Sequence, residues 1–167
     1  MLITGFEPFQ NFDENPSSII AKRLSPNSQI LKVSYRSVEA FARGAQGDPI
    51  LCIGLRAVLS EPAFELYAHN DIGSEADMSG VKTTRTIIKK GGPKTLGQTL
   101  ASPEQLLSLQ MTTSFTPGNY LCNFLLYSLL IRYPERKIGF IHVPLFENMP
   151  ESEQVRRIKD LMTVLGF

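Results

Sequence analysis

The sequence has few of the features that mark secreted, membrane-spanning or disulfide-stabilised proteins. Its two cysteines, Cys52 and Cys122, exclude a disulfide framework and are typical of a reducing compartment. The longest apolar stretch, residues 124–131, is far shorter than the roughly 20 residues that span a bilayer. The N-terminus has no basic segment followed by the apolar core of a signal peptide. These absences predict a cytoplasmic protein that does not enter a membrane.

Charge and short motifs exclude further classes of protein. The 17 basic and 16 acidic residues give a net charge of +1, and the basic residues do not alternate with exposed aromatic residues. We therefore expect no nucleic-acid partner. The sequence has no Cys-x2-Cys pair and no His-x-His or His-Glu-x-x-His run, and residues 91–93 lack the lysine and serine of a P-loop. We therefore expect no metal and no organic cofactor.

Short apolar runs alternate with amphipathic stretches along the chain. A chain of 167 residues is long enough to bury a sizeable core, and we expect residues 1–167 to form a single domain. Alternating strands and helices predict a three-layer α/β/α fold with a mostly parallel, twisted central sheet. The predicted strands cover residues 1–4, 29–35, 50–53, 64–70 and 137–143, with an extended segment at 111–115 and a short hairpin at 83–88. Residues 64–70 fit a helix almost as well.

The predicted helices have recognisable beginnings. They cover residues 16–24, 38–45, 103–109, 119–133 and 151–165. Serine is a favoured N-cap residue, so Ser17 or Ser18 is expected to cap the first helix and Ser152 the last.

Cys122 is a candidate nucleophile because of its position. A Pro-Gly turn at residues 117–118 leads into an apolar, helix-compatible stretch, which places the sulfur in the first turn of a helix. The unpaired amides and peptide dipoles at that point favour a thiolate. The alternative interpretation is structural, because free cysteine often behaves as a small buried hydrophobe.

Two histidines are the only candidates for a base at neutral pH. His142 lies at the C-terminal end of an apolar strand, the edge of an α/β sheet where ligand sites usually form. His69 also lies near a strand end, with Glu65 four residues before it. Position favours His142, although a histidine near a strand end is more often structural. A thiol activated by a histidine is the simplest catalytic arrangement left by these exclusions.

Three segments resemble the motifs of one family, in that family's order. Residues 4–9 (Thr-Gly-Phe-Glu-Pro-Phe), followed by residues 15–17 (Asn-Pro-Ser), are similar to the N-terminal signature of the pyroglutamyl peptidase I family, the pyrrolidone-carboxylate peptidases. Residues 114–123 (Ser-Phe-Thr-Pro-Gly-Asn-Tyr-Leu-Cys-Asn) resemble its nucleophile motif. Residues 139–144 (Gly-Phe-Ile-His-Val-Pro) resemble its histidine motif. The matches cover nearly the whole chain.

The resemblance implies a cysteine peptidase with a Glu-Cys-His triad in a single catalytic domain. Cys122 would be the nucleophile and His142 the general base and then the acid. Glu65 begins a segment similar to the family's glutamate motif and would be the orienting acid. The implied reaction removes an N-terminal pyroglutamyl residue from a small peptide through a thioester, with no metal and no cofactor.

The resemblance also implies the walls of the substrate pocket. Phe6 and Phe9 match the family's ring-contacting phenylalanines, and Asn15 matches an asparagine near that pocket. Without the family match, both phenylalanines would be read as packing under the first loop. Leu55 stands where the family has a polar pocket residue, which makes it a candidate substrate contact that differs from the family.

Other positions near the expected pocket also differ. Gln10 and Asn11 replace two glycines of the family's first turn, and Phe124 stands where the family commonly has histidine. Residues 73–78 contain no counterpart of an arginine found in the family's equivalent segment.

These differences keep two alternatives open. The chain could be a divergent thiol hydrolase with another small amide substrate, or an inactive relic that acts as a binding protein. Members of the family often assemble as homo-oligomers, so self-association is a further expectation that the sequence itself does not decide.

Overall fold

Strands and helices alternate along most of the chain. The computed structural model describes residues 1–10 and 12–167, which contain eight strands and five helices, and Asn11 lies outside the described residues. The strands are β1 (Leu2–Phe6), β2 (Gln29–Leu31), β3 (Ile50–Leu55), β4 (Ala63–Glu65), β5 (Tyr67–His69), β6 (Thr95–Gly97), β7 (Thr112–Ser114) and β8 (Ile138–Val143). The helices are α1 (Pro16–Leu24), α2 (Tyr35–Gly44), α3 (Pro103–Ser108), α4 (Leu121–Arg132) and α5 (Glu151–Val164).

The central sheet is mostly parallel, as predicted. Its strand order is β2-β1-β3-β8-β4-β7, and every neighbouring pair is parallel except β4 with β8. Strands β5 and β6 pair antiparallel in a separate small sheet. The carboxyl ends of the parallel strands β1, β3 and β8 therefore meet at one edge of the sheet, where open α/β sheets bind ligands.

Each face of the sheet packs against its own set of helices. Along β3, Ile50 and Cys52 belong to the core under α2 and α4, whereas Leu51 and Ile53 belong to the core under α1, α3 and α5. Successive side chains of a strand point to opposite faces, so a continuous apolar run is what a strand covered on both sides requires. The predicted three layers are confirmed.

Helix α4 lies within the core rather than at its edge. Nine of its twelve residues are buried, including the whole stretch from Asn123 to Leu130. A helix that is apolar on every side must be covered on every side. Buried contacts along most of α4 pack it against the sheet, and its first turn lies at the carboxyl edge of the sheet.

The region between β3 and α3 differs from the sequence prediction. The single strand expected at residues 64–70 is two strands, β4 and β5, which join different sheets on either side of Leu66. The hairpin expected at residues 83–88 is not formed. Just after this segment, the Asn70 side chain accepts a hydrogen bond from the Lys89 amide and donates one to the Lys89 carbonyl. Strand β6, which pairs with β5, was not predicted.

Two predicted helix caps are wrong. Asn15 caps α1, because its Oδ1 accepts hydrogen bonds from the backbone amide and the hydroxyl of Ser17, at 3.0 and 2.8 Å. Pro16 then fills the first helical position, where a missing N–H costs nothing. Pro150 precedes α5 with no side-chain cap, so Ser152 has no capping role. None of the helices in residues 1–10 and 12–167 is long and apolar enough to cross a bilayer.

Candidate active site

A cavity of about 210 Å³ opens at the carboxyl edge of the central sheet. Five parts of the chain enclose it: the end of β1 with the loop that follows, the ends of β3 and β8, the turn that leads into α4, the segment after β2 and the segment after β5. The lining side chains are largely apolar, with a few polar and charged groups among them. They are Phe6, Phe9, Gln10, Asn15, Val33, Leu55, Arg56, Glu75, Pro117, Gly118, Tyr120, Leu121, Cys122 and His142.

Cys122 is the second residue of α4 and lines this cavity. The turn before it depends on Gly118, whose φ of +83° lies in the left-handed region that glycine enters without strain. The sulfur also lies close to the sheet: a Cβ placed on Gly54 would be 3.0 Å from Cys122 Sγ and 2.8 Å from Phe140 Cζ. Glycine at position 54 therefore makes room for the thiol.

The predicted preference of Cys122 for the thiolate form is not found. Burial raises the pKa of the thiol to about 12, and the negative charge of Glu65 acts in the same direction. Arg56 and a backbone hydrogen bond at the helix start lower the pKa, but by less. Desolvation therefore outweighs the helix terminus, and the thiol keeps its proton at neutral pH. A nucleophilic attack by this sulfur requires a base that takes the proton.

His142 and Glu65 form a buried pair, and His142 lines the same cavity as Cys122. His142 Nδ1 lies 2.6 Å from Glu65 Oε1, and the residues are only 3% and 0% exposed. The strand register explains the contact: Ala63 lies opposite His142, so Glu65 is its diagonal neighbour on the same face. Because a carboxylate accepts, the short contact assigns the proton to Nδ1 and leaves Nε2 as the acceptor.

A third charged residue, Arg56, lies beside this pair. Its Nη1 is 3.7 Å from Glu65 Oε1 and donates a hydrogen bond to the Thr116 carbonyl at 3.2 Å. The Arg56 charge therefore compensates that of the buried carboxylate. No local sequence pattern marks Arg56, although its position directly after β3 puts it at the same edge as His142.

The predicted substrate-binding residues all line the cavity. Phe6 ends β1 and is buried, and Phe9 lies in the loop that follows. Asn15 is buried, and its Nδ2 donates to the Glu7 carbonyl at 3.0 Å, so it closes this loop as well as capping α1. Leu55 is the last residue of β3 and adds an apolar surface.

Two further lining residues were not proposed as substrate contacts from the sequence. Gln10 has a φ of +54°, which is a left-handed backbone conformation. It stands at the position where the pyroglutamyl peptidase motif has a glycine. Glu75 belongs to the segment that follows β5, and its charge raises the pKa values of Tyr35 and Tyr120, in each case after burial. Neither position carries a local sequence signal, because both reach the cavity through loops.

His69 and Asn123 hold the surroundings in place. The His69 ring contacts the Phe115 carbonyl at 2.8 Å and Thr95 Oγ1 at 3.3 Å, and it does not line the cavity. The Asn123 side chain accepts from the His69 amide and donates to the carbonyls of His69 and Asp71. The residue after Cys122 therefore fastens α4 to the end of β5.

Comparison with known proteins relates these residues to one family. A family model described as pyroglutamyl peptidase matches residues 1–157. The pyrrolidone-carboxylate peptidase of Brevibacillus brevis is 30% identical over 166 residues, which cover 86% of this chain and 77% of the relative. The pyrrolidone-carboxylate peptidase of Thermosipho africanus is 29% identical over 165 residues, covering 86% of this chain and 80% of the relative.

Solved structures agree with the fold. The pyrrolidone carboxyl peptidase from Thermococcus litoralis superposes with a TM-score of 0.87 at 24% identity, covering 98% of this chain and 91% of that one. A mutant pyrrolidone carboxyl peptidase from Pyrococcus furiosus gives a TM-score of 0.85 at 25% identity, covering 98% and 96%. The α/β fold predicted from the sequence is confirmed by this likeness.

Proposed function

The chain belongs to the pyroglutamyl peptidase family, and on that premise we propose that it removes N-terminal pyroglutamyl residues from peptides. One observation supports the proposal most strongly. His142, whose ring contacts buried Glu65, and Cys122 both line a single cavity whose wall includes two phenylalanines. A thiol, a base and an orienting acid are the groups that nucleophilic acyl transfer needs.

The first half of the proposed reaction is acyl transfer to the sulfur. Cys122 Sγ attacks the carbonyl carbon that joins the pyroglutamyl group to the next residue, while His142 Nε2 takes the thiol proton. The carbonyl oxygen gains negative charge, and the amides in the first turn of α4 are placed to stabilise it. The C–N bond then breaks, His142 returns the proton to the leaving nitrogen, and a thioester and a free amine result.

Water completes the cycle. His142 takes a proton from a water molecule, whose oxygen attacks the thioester carbonyl, and the C–S bond breaks. The proton goes to the sulfur, so free pyroglutamate leaves and the thiol is restored. Glu65 holds the His142 ring in one tautomer and stabilises the imidazolium that forms twice in each cycle.

The cavity suits a small, flat ring. Phe6 and Phe9 offer aromatic faces, and Val33, Leu55 and Leu121 add apolar surface. A pocket of this kind is expected to bind a neutral lactam by contact area, with a few polar groups fixing its orientation. Asn15, whose amide caps α1 and closes the loop after β1, is the residue to which we assign the positioning of the wall that contains Phe6 and Phe9.

A second candidate function rests on the charged residues of the same cavity. Arg56 and Glu75 both line it, although the ring of a pyroglutamyl group is neutral. Two charged side chains in the cavity favour a more polar substrate than a neutral lactam, which is what a divergent thiol hydrolase would bind. The cytoplasmic location, the single domain over residues 1–167 and self-association stay predictions from the sequence and the family.

A matched set of peptides tests the proposed function. One peptide would begin with pyroglutamate, a second with proline and a third with glutamine, with all later residues identical. We expect release of the first residue only from the pyroglutamyl peptide, detected by chromatography, because proline carries a charged amine and glutamine has no ring. Equal cleavage of all three, or cleavage of glutamine or proline alone, would contradict the proposal and favour the second candidate.

A further inference from the structure

Arg56 has hydrogen-bonding capacity that the protein does not use. Within the described part of the chain, both of its polar contacts involve Nη1, which meets the Thr116 carbonyl and the Glu65 carboxylate. The guanidinium has five N–H donors in a planar fork, so Nε and Nη2 are left for another acceptor. The side chain is 37% exposed and lines the cavity that contains Cys122.

The reaction geometry defines what comes near this guanidinium. His142 must protonate the leaving nitrogen, so the residue that follows the pyroglutamyl group lies on the His142 side of the cavity. Arg56 is on that side, because it follows Leu55, which lies opposite Val143, and both Arg56 and His142 line the cavity. In a dipeptide, the free α-carboxylate is only two covalent bonds from the leaving nitrogen.

The charges around the cavity favour the same placement. Apart from Arg56, Glu75 is the other charged residue among the lining side chains, and its carbonyl accepts a hydrogen bond from the Tyr35 hydroxyl at 3.5 Å. The pKa of Cys122 responds to Arg56 rather than to Glu75. A carboxylate of the substrate would therefore meet the free donors of Arg56, whose charge Glu65 partly balances, on the His142 side and repulsion from Glu75 on the tyrosine side.

We propose that Arg56 binds the free α-carboxylate of the leaving residue, which makes pyroglutamyl dipeptides the preferred substrates of this enzyme. The inference rests on the proposed function and adds a substrate class to it. Longer peptides place a neutral carbonyl at the same point, and that carbonyl accepts a weaker hydrogen bond than a carboxylate does. Arginine suits the role because its planar fork matches a carboxylate.

The test compares two substrates that differ only at this group: pyroglutamyl-alanine and pyroglutamyl-alanine amide. For the wild-type chain we expect kcat/KM for the free acid to exceed that for the amide by about tenfold, the usual size of one charge-assisted hydrogen bond. Arg56→Gln should bring this ratio to about one, and Arg56→Lys should leave it in between. Arg43→Gln removes a surface arginine that pairs with Glu39 on α2, and it should keep the wild-type ratio.

Each result decides the matter. A wild-type ratio near one, or an equal loss for both substrates in Arg56→Gln, would overturn the inference, since Arg56 would then act only on Glu65. Cleavage of neither substrate by the wild-type chain would instead defeat the proposed function. If Arg56→Gln fails to fold, Arg56→Lys decides: an unchanged ratio overturns the inference, and a reduced ratio with both substrates still cleaved supports it.

Discussion

Replacing Glu65 with glutamine should separate catalysis from stability. Glutamine has nearly the same shape as glutamate, so its side-chain oxygen can still accept the hydrogen bond that His142 Nδ1 makes at 2.6 Å in the wild-type chain. The negative charge of the carboxylate is lost. The missing charge matters when His142 becomes an imidazolium during acyl transfer. Two unit charges about 4 Å apart interact by about 4 kcal/mol at the effective dielectric constant of about 20 that describes even buried sites, which corresponds to roughly a thousandfold in rate.

The neighbouring Arg56 changes this estimate little. Its guanidinium, 3.7 Å from Glu65 Oε1, repels the imidazolium in the wild-type chain and in the variant alike, so its contribution cancels in the comparison. The glutamine oxygen still accepts from His142 Nδ1 and orients the ring, so we expect kcat to fall between about a hundredfold and a thousandfold.

Stability should fall modestly in the same variant. The substitution removes a fully buried carboxylate, whose desolvation is unfavourable, and it leaves Arg56 partly in solvent rather than as a buried lone charge. It also puts an amide nitrogen where Glu65 Oε2, a buried atom, has no hydrogen-bond partner among the described residues. We expect the free energy of unfolding to fall by about 1 to 3 kcal/mol. Kinetics on a pyroglutamyl peptide and urea unfolding measure the two effects. Glu61→Gln is the matched control, because Glu61 pairs with Arg157 away from the cavity. A folded Glu65→Gln variant within about threefold of wild-type kcat would refute the role of Glu65.

Two further predictions concern Gly54 and Cys52. Gly54→Ala should lower activity at least tenfold and destabilise the fold by about 1 to 3 kcal/mol, because the added methyl meets Cys122 Sγ and Phe140. Gly44→Ala, with no atom within 4 Å of the new Cβ, is the control, and equal activity of both variants would contradict the close approach. Burial raises the pKa of the Cys52 thiol from 9.0 to about 12, so the folded chain keeps a proton that the unfolded chain releases. Stability should therefore fall as pH rises from 9 towards 12, by about 2 to 3 kcal/mol at pH 11, and less in Cys52→Ala. Identical pH dependence of urea unfolding in both proteins would show that this thiol does not titrate as described.

Much of the site could be predicted because local patterns specify it. A Pro-Gly turn before an apolar stretch indicates a helix start, and Cys122 is indeed in the first turn of α4. A run of apolar residues ending at Pro144 indicates a buried strand, and His142 lies at the carboxyl end of β8. Both signals depend on a few neighbouring residues, so tertiary structure does not change them.

What the sequence did not reveal depends on contacts between distant segments. The pairing of Arg56 with Glu65 requires β3 and β4 to be brought together through β8, which no local pattern records. The protonated state of Cys122 follows from the packing around the sulfur, which outweighs the helix terminus that sequence reasoning considered. The change of sheet at Leu66 is equally invisible, because both halves of residues 64–70 have strand character.

The central claim is that Cys122 is the nucleophile of a pyroglutamyl peptidase. Its most direct test is the release of aminocoumarin from pyroglutamyl-aminocoumarin by the wild-type chain and by Cys122→Ala, with Cys52→Ala as the control for the other thiol. We predict steady release by the wild-type and Cys52→Ala proteins and none by Cys122→Ala. Release at equal rates by the wild-type and Cys122→Ala proteins, or by neither, would contradict the claim.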